Sequence, residues 1–398
     1  MNARIRTLAA AALVLGLAAG PSVLPAAAAP ASPDRTAVAA ATGPEVATPP
    51  DAAALRAALS GLPTADATAA LVRVGGTSGS WHGGAGVAEV RTGRPAQERA
   101  RFRAGSVTKA FTAAVVLQLA AEGRVELGRP VQEYLPGLLP DTFEPVTVRQ
   151  LLNYTSGIQA ADGPGDAFED QYAARFDRVD PRAQIADAVA KGPEFRPGTA
   201  QHYLNIDYTV LGVLIEKLTG TSYEQAVAAR ILRPLGLRDT SYPGTDVRIH
   251  GPHHHGYQAV RRADGSTELV DVTEWESRSR WAAGDIISTT ADLERFTRAL
   301  FRGRVVPARQ LAEMFTVPQV ADFVSGKPAQ LTAGLSRIVL PDGTVVWGKS
   351  GSRFGYSTAI GGTRDLSRTL VYSVNATDAK GESMNPVALR ILMAAFAK

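Results

Sequence analysis

The chain has no cysteine among its 398 residues. This absence excludes catalysis by a thiol, disulfide bonds and metal sites built from thiolates. A chain of this length can bury enough surface to be stable without disulfides. Lysine is also scarce, with seven residues in the whole chain, so a lysine inside a recognisable motif is informative.

The composition is that of a globular protein with little excess charge. Hydrophobic residues make up 45% and charged residues 20% of the chain, which excludes a disordered protein. The formal net charge is +4, and it falls to +2 when Arg4 and Arg6 near the N-terminus are left out. So small a balance, without a block of like charges, gives no support for binding to nucleic acid or to a membrane surface.

The N-terminus has the pattern of a secretory signal. Two arginines precede an apolar run over residues 8–19, and small residues follow at 26–29. We expect residues 1–29 to be a cleaved signal peptide, which would place the mature protein outside the cell. An uncleaved membrane anchor is the alternative, and the run is short for one. Residues 30–50 are rich in alanine, proline and threonine and predict a flexible leader.

The rest of the chain, residues 51–398, predicts one catalytic domain with strands near both ends and helices in the middle. The better helical segments are 51–62, 147–152, 181–191, 205–219, 223–232, 290–302, 307–315 and 385–396. The strand-like segments are 71–74, 86–90, 101–103, 331–340, 344–347, 356–361 and 369–374. Residues 238–281 are rich in loops.

This order of elements predicts an α/β (α+β) fold. A single antiparallel β-sheet would be built from both chain ends and flanked by helices, and an all-helical lobe would be inserted between its halves. We expect the α/β lobe to cover about 51–123 and 282–398, and the helical lobe about 124–281. A cleft between two lobes is the natural place for an active site.

The segment Ser106-Val107-Thr108-Lys109 is the most informative motif. A serine and a lysine three residues apart share one face of a helix, and no other lysine of this chain has serine at that spacing. A nearby amine can act as the base that activates a serine hydroxyl. The residues that follow are mostly apolar, so we expect a buried helix, in which a lysine needs partners. The alternative is an ordinary helix start with a capping serine and a solvated lysine.

The second candidate is Tyr203-Leu204-Asn205, the only Tyr-x-Asn sequence in the chain. Nearby cations would lower the pKa of a tyrosine and make its phenol usable as a base. An asparagine side chain both donates and accepts hydrogen bonds, so Asn205 could orient a lysine and a substrate amide together. The alternative is a tyrosine packed into the core, with Asn205 as a helix N-cap.

The third candidate is Lys349-Ser350-Gly351, which follows a strand-like run. A lysine at a strand end can supply positive charge to a site, and a glycine lets the backbone approach a ligand closely. An edge strand here could also pair with an extended peptide substrate. The alternative is a hairpin edge that a lysine protects from aggregation.

The run His253-His254-His255 invites a metal site, but consecutive side chains cannot all face one ion and no carboxylate has a suitable spacing. We expect a solvated loop there, and neither a metal nor another cofactor. The chain also has no G-x-S-x-G sequence, which argues against an esterase of the α/β-hydrolase type.

In this order along the chain, the three motifs resemble those of the serine penicillin-recognising family. The similarity is greatest to secreted Streptomyces-type D-alanyl-D-alanine carboxypeptidases and class C β-lactamases, and it extends from about residue 51 to the C-terminus. Further similar stretches are residues 102–111, 134–140, 146–150, 214–220 and 284–290. The resemblance implies a β-lactamase/transpeptidase-like fold, with an antiparallel sheet flanked by helices and a helical lobe.

The resemblance also implies a role for each motif residue. Ser106 would be the acylated nucleophile, and Lys109 would assist the removal of its proton. Tyr203 would relay protons to the leaving group and help to activate the second nucleophile. Asn205 would hold Lys109 and the substrate amide, and Lys349 would tune Tyr203 and bind substrate.

Two further groups of residues follow from the same resemblance. The backbone N–H groups of Ser106 and Ser352 would form the oxyanion hole. Ser350, Gly351 and Ser352 would bind substrate along the strand.

The chain departs from the family pattern at three points. Leu204 stands where serine or alanine is usual, and Lys349 stands where the most similar peptidases have histidine. The carboxylate-binding arginine of those peptidases would fall near Ser336, so the adjacent Arg337 is one candidate for its role and Arg353 is a second. Whether the protein accepts substrates with a free C-terminal carboxylate depends on which arginine, if either, takes this role.

The sequence therefore predicts a secreted, monomeric serine hydrolase, D-alanyl-D-alanine carboxypeptidase-like, that forms an acyl-enzyme on Ser106. The expected ligands are small peptides with D-amino acids, peptidoglycan precursors and β-lactams. An esterase, a D-amino-acid amidase or a class C-type β-lactamase on the same fold is the alternative. A non-catalytic protein that binds β-lactams or muropeptides is the remoter one.

Overall fold

The structure is a computed structural model that describes residues 48–397. The predicted signal peptide, and the predicted leader up to residue 47, lie outside the described residues.

The described residues form thirteen strands. They are β1 Ala67–Gly76, β2 Trp81–Glu89, β3 Arg94–Pro95, β4 Phe102–Arg103, β5 Ala200–Gln201, β6 Tyr257–Arg261, β7 Thr267–Asp271, β8 Ile287–Ser288, β9 Ala321–Asp322, β10 Ser336–Val339, β11 Val345–Arg353, β12 Tyr356–Gly362 and β13 Arg368–Ala376.

Thirteen α-helices are present in the same residues. They are α1 Ala52–Leu59, α2 Thr108–Ala121, α3 Val131–Tyr134, α4 Val148–Leu152, α5 Phe168–Ala173, α6 Pro181–Ala190, α7 Ile206–Thr219, α8 Tyr223–Val227, α9 Arg233–Leu235, α10 Trp281–Gly284, α11 Thr290–Phe301, α12 Ala308–Leu311 and α13 Pro386–Ala395. Between residues 48 and 397, no helix combines the length and the apolar character that a membrane span requires.

Both ends of the chain build one seven-stranded sheet, in the order β10-β11-β12-β13-β1-β2-β3. All of its neighbouring strands are antiparallel. The early strand β1 lies between the late strand β13 and its own hairpin partner β2, so the sheet closes only when the two ends of the chain meet. This arrangement confirms the predicted fold class.

The sheet separates two hydrophobic cores. The terminal helices α1 and α13 pack on one face, where Leu55 and Ile391 are buried. Helices α2 and α11 pack on the other face, where the rings of Phe111 and Phe296 stack with centroids 3.7 Å apart. Helix α2 is apolar on nearly all sides and is buried almost completely, as its sequence predicts.

The predicted all-helical lobe is a mixture of helices and short strands. Helices α4, α6, α7 and α8 confirm the helical segments, but β6 and β7 form a hairpin inside the region expected to be loop. Strand β7 has the sequence Thr-Glu-Leu-Val-Asp and is mostly exposed, so it lacks the alternation of apolar and polar residues that marks a strand with a buried face.

The three histidines were expected in a solvated loop, and that expectation is wrong for His254. Its ring is buried, where Nε2 accepts a hydrogen bond from the Gln97 N–H at 2.9 Å and Nδ1 lies 3.1 Å from Oδ1 of Asn375. Burial lowers the pKa of His254 to about 4, so the ring is neutral at physiological pH.

Strand β11 continues to Arg353, whereas the sequence predicted a strand that ended at Trp347. Its second half pairs with β12 on one side only, since β10 pairs with β11 no further than Gly348. The backbone of residues 349–353 is therefore an edge of the sheet, and it faces the start of α2.

Two glycines allow this edge to touch the chain segment before α2. Gly105 has a φ of +53°, and a Cβ there would lie 2.7 Å from the Ser352 nitrogen. A Cβ on Gly351 would overlap the carbonyl oxygen of Ala104 and lie 2.9 Å from the nitrogen of Ser106. The contact is thus possible only because both positions lack a side chain.

We expect Gly351→Ala to destabilise the fold by about 2 kcal/mol or more, because backbone rather than a flexible side chain would have to move. Chemical denaturation measures the free energy of unfolding of the variant. Gly163→Ala is the matched control, since a Cβ on Gly163 meets no atom within 4 Å and should change little. Equal stability of the two variants would contradict the proposed contact.

Candidate active site

Ser106 lies in a single 3₁₀ turn, Gly105–Val107, that leads directly into α2. The turn is fixed from both sides: the Thr108 hydroxyl donates to the Gly105 carbonyl at 2.7 Å, and the Ala104 N–H donates to the Ile286 carbonyl at 2.9 Å. The Ser106 residue itself is partly exposed. Its hydroxyl is therefore held in a defined place while it remains accessible to a ligand.

Lys109 is fully buried and has three acceptors for its ammonium group. Nζ donates to the Ser106 hydroxyl at 3.1 Å, to Oδ1 of Asn205 at 2.7 Å and to the Ala283 carbonyl at 2.8 Å. Burial is the largest cause that lowers the pKa of Lys109 to about 8. The alternative of a solvated lysine is wrong.

Asn205 stands at the N-cap position of α7, but its side chain makes no capping hydrogen bond. Its side-chain oxygen instead accepts a hydrogen bond from the Lys109 ammonium. Within residues 48–397 its amide nitrogen has no hydrogen-bond acceptor, so this nitrogen can donate to a ligand.

Tyr203 lies between the two lysines of the motifs. The Lys109 Nζ is 4.9 Å and the Lys349 Nζ 4.8 Å from the centre of its ring. The phenol oxygen is buried and has no hydrogen-bond partner among the described residues. Burial acts to raise the pKa of Tyr203, but the two ammonium groups outweigh it and lower the pKa to about 7.

Lys349 projects from the edge of β11 towards Tyr203, and its ammonium also donates to the Ser350 carbonyl at 2.8 Å. Lys349 is 5% exposed, so its charge acts on Tyr203 through protein rather than through water. The alternative, a lysine that protects an exposed hairpin edge, does not fit this buried position.

The residues after Lys349 divide between the two faces of the strand. Ser350 pairs with Ala359, which packs against the core of the terminal helices, so the side chain of Ser350 lies on the face away from Lys349. Ser350 could therefore contribute to substrate binding through its backbone rather than through its side chain. The backbone of Gly351 and Ser352 does lie against the Ser106 turn.

The two predicted arginines are both outside the cluster. Arg337 lies opposite Trp347 on β10, is exposed, and has no side-chain hydrogen bond or ion pair within the described range. Arg353 is buried beyond Ser352, where its guanidinium lies 5.9 Å from the ring of Trp275. Neither has the contacts with Ser106 or Tyr203 that would identify it as a carboxylate-binding arginine.

Sequence reasoning missed the role of the short helix α10. Its carbonyls face α2: Ala282 accepts from the Thr112 hydroxyl at 2.6 Å and Ala283 accepts from Lys109 at 2.8 Å. Trp281, at its start, has a positive φ of 27°, which is rare for a residue with a side chain. A backbone carbonyl can belong to any residue type, so the sequence does not reveal which carbonyl will accept a hydrogen bond. Only the stretch at 284–290, which is similar to the penicillin-recognising family, drew attention to this region.

The arrangement brings together a hydroxyl, two ammonium groups, a phenol with a lowered pKa and an amide. Such a set can generate a serine nucleophile and move its proton. In the part of the chain that the structure describes, no group of three or more histidine or acidic residues is placed to hold a metal ion.

Comparisons with known proteins agree with this geometry. The family model described as Beta-lactamase matches residues 30–393. Esterase EstB of Burkholderia gladioli is 35% identical over 193 residues, which cover 45% of this chain and 48% of that protein. Penicillin-binding protein 4 of Amycolatopsis lactamdurans is 32% identical over 234 residues, 58% of this chain and 56% of that protein. The chain thus spans about half the length of these curated relatives.

A solved structure covers more of the chain. The D-stereospecific amidohydrolase from a Streptomyces species is 34% identical, and the match covers 87% of this chain and 99% of the other with a TM-score of 0.75. The family model extends over the sheet and over all three motifs. The chain therefore belongs to the beta-lactamase family.

Proposed function

We propose that the protein is a serine hydrolase that forms an acyl-enzyme on Ser106 and acts on peptides with D-amino acids, in the manner of a D-alanyl-D-alanine carboxypeptidase. The observation that carries the proposal is the buried ammonium of Lys109, which contacts both the Ser106 hydroxyl and Asn205. A lysine is costly to bury, and a hydroxyl-activating role explains its position beside a serine. We also propose that the protein is secreted, on the N-terminal sequence alone.

Acylation would begin with transfer of the Ser106 proton to the Tyr203 phenolate. The serine oxygen then attacks the carbonyl carbon, and the carbonyl oxygen becomes an oxyanion. The N–H groups of Ser106 and Ser352 would stabilise this anion, a contribution of about 3 kcal/mol per donor in other hydrolases. The carbon–nitrogen bond breaks, and the leaving amine takes its proton from Tyr203.

Deacylation would repeat these steps with water. Water gives a proton to the Tyr203 phenolate and attacks the acyl carbon, and the released serine oxygen takes the proton back. Lys109 and Lys349 support both half-reactions because each ammonium stabilises the phenolate. The free backbone edge of residues 349–353 would align an extended substrate by main-chain hydrogen bonds.

An amidase or esterase on the same scaffold is the second candidate. It is favoured by the positions of Arg337 and Arg353, because neither side chain contacts Ser106 or Tyr203, where it could hold a C-terminal carboxylate. The similar proteins include an esterase and a D-stereospecific amidohydrolase. A pure binding protein is less well supported, since binding alone requires no activated serine.

We expect incubation with a penicillin to add one acyl group per chain, and Ser106→Ala to abolish the adduct. Intact-mass spectrometry measures the adduct and its rate of loss. Ser350→Ala is the matched control, since its side chain lies on the other face of β11, and it should still be acylated. An adduct that persists in Ser106→Ala would show that another residue is the nucleophile.

Turnover of a D-alanyl-D-alanine peptide, a D-amino-acid amide, a short-chain ester and a chromogenic cephalosporin, measured side by side, separates the candidate reactions. Preference for the dipeptide supports the carboxypeptidase. Preference for the amide or ester supports the second candidate.

We expect kcat/KM for an uncharged substrate to rise as the pH passes about 7, because the Tyr203 phenol must lose its proton to act as a base. It should fall above about 8, as Lys109 loses the charge that stabilises the phenolate. Tyr203→Phe should remove the rising limb and most of the activity. Tyr154→Phe is the matched control: burial raises the pKa of Tyr154, so that phenol does not ionise and both limbs should remain. A rising limb that survives in Tyr203→Phe would exclude Tyr203 as the base.

A further inference from the structure

Three cations that the mechanism does not use lie beside the Ser106 turn: Arg280, Arg353 and Lys380. None of them has an ion-pair partner within residues 48–397. Arg353 is buried, Arg280 is partly exposed and Lys380 is exposed. Cations without a protein partner beside the Ser106 turn attract anionic ligands, so they are candidates for a binding subsite.

Arg280 begins its side chain directly against the turn. A Cβ built on Gly284 would lie 3.2 Å from the Arg280 Cβ and 3.8 Å from the carbonyl carbon of Gly105. The Arg280 side chain makes no hydrogen bond to another described residue. Burial, then the charge of Lys349 and then that of Arg280 lower the pKa of Lys109.

Lys380 lies on the other side of the same turn. Its ammonium donates to the Ser352 carbonyl at 3.1 Å, and the Ser352 hydroxyl donates to the Ala379 carbonyl. The segment of Ala379 and Lys380 is thereby attached to the edge of β11 next to the proposed oxyanion hole. Lys380 itself is exposed, so its ammonium stands at the solvent side of this contact.

Arg353, the third cation, is the last residue of β11. It is only 7% exposed, yet its guanidinium has no hydrogen-bond acceptor in the described chain and meets only the face of Trp275. Burial, and then repulsion from Arg280 and Arg103, lowers its pKa to about 9. Its nitrogens are not among the fully buried polar atoms that lack a partner, so an anionic ligand could reach the guanidinium.

The nearby carboxyl groups do not neutralise these cations. Both oxygens of Asp285 and one oxygen of Glu276 are buried without a hydrogen-bond partner in the residues described. Burial raises the pKa of both groups and so favours their uncharged forms. Within residues 48–397 neither carboxyl group forms an ion pair with any of the three cations.

The position of the cations relative to the proposed reaction identifies the part of the substrate that they meet. The leaving group must face its proton donor Tyr203, which lies with Lys349 at the start of the β11 edge. The oxyanion faces Ser352, so the acyl part of the substrate extends towards the far end of that edge. Lys380 is attached at that end and Arg353 is its last residue. Arg280 lies beside Gly284, next to the Ser106 turn.

We propose that this cationic subsite selects acyl donors that bear a carboxylate on the acyl side of the scissile bond, and that it disfavours donors with a free α-ammonium group there. The proposal rests on the proposed function of Ser106. It names the acyl side of the substrate, which the carboxypeptidase and amidase alternatives leave open.

Three D-alanyl thioesters with one common leaving group test the proposal. Their amino groups are free, acetylated or succinylated, which places a positive, no or a negative charge at the same end. The released thiol can be followed with a thiol reagent, since the protein has no cysteine to react. We expect kcat/KM for the succinyl substrate to exceed that for the acetyl substrate by about tenfold, and the free amine to be about tenfold poorer than acetyl. The succinyl preference should shrink as salt is added.

Substitution assigns the selectivity to these residues. In Arg280→Gln and Lys380→Met the succinyl-to-acetyl ratio should fall towards one, whereas Arg280→Lys should retain most of it. Arg261→Gln is the matched control, because this exposed arginine on β6 has no side-chain partner among the described residues and its loss changes the net charge equally. The ratio in Arg261→Gln should equal that of the unmodified protein.

The outcomes distinguish this proposal from the proposed function. Equal rates for the three thioesters, or preference for the free amine, with turnover that still depends on Ser106, would overturn the cationic subsite and leave the hydrolase standing. Loss of selectivity in Arg261→Gln would also overturn it. Turnover that survives in Ser106→Ala would instead overturn the proposed function.

Discussion

The structure of the site depends on the burial of one ammonium group. Lys109 has its three acceptors on three distant parts of the chain: the turn before α2, the start of α7 and the carbonyl end of α10. Because an unpaired buried charge is far more costly than a paired one, these three elements are constrained to meet around it. The apolar surroundings of α2 make this constraint strict, since water cannot replace a missing acceptor.

A second consequence of this burial is electrostatic. The ammonium groups of Lys109 and Lys349 lie on the ring of Tyr203, whose hydroxyl has no hydrogen-bond partner in the described structure. In a low-dielectric setting, each charge acts strongly on the phenol. The pKa of the phenol is about 7 and that of Lys109 about 8, so near neutral pH the phenol can take up and release a proton beside an ammonium that is still charged. Repulsion between these like charges lowers the stability of the fold, and such a loss is common at sites that carry out chemistry.

The sheet provides the rigid frame for this charge arrangement. Its edge at residues 349–353 is fixed by β12, and the two glycines at 105 and 351 let it contact the serine turn directly. Lys349 and Ser352 thus belong to a single rigid element that contacts the Ser106 turn, while Tyr203 and Asn205 come from the helical region.

The sequence by itself determined the elements and the chemical groups. Periodicity identified the strands at both chain ends and the buried helix α2, and the unique spacings of Ser106 with Lys109 and of Tyr203 with Asn205 identified the reactive set. It missed the β6–β7 hairpin, whose exposed strands lack apolar alternation, and it ended β11 too early at Trp347.

Only the tertiary structure decided which groups meet. It placed Ser350 on the far face of its strand, left Arg337 in solvent, and brought the Ala283 carbonyl to Lys109. The physical reason is that strand register and backbone acceptors depend on contacts between segments far apart in the chain, which no local pattern of residue types encodes.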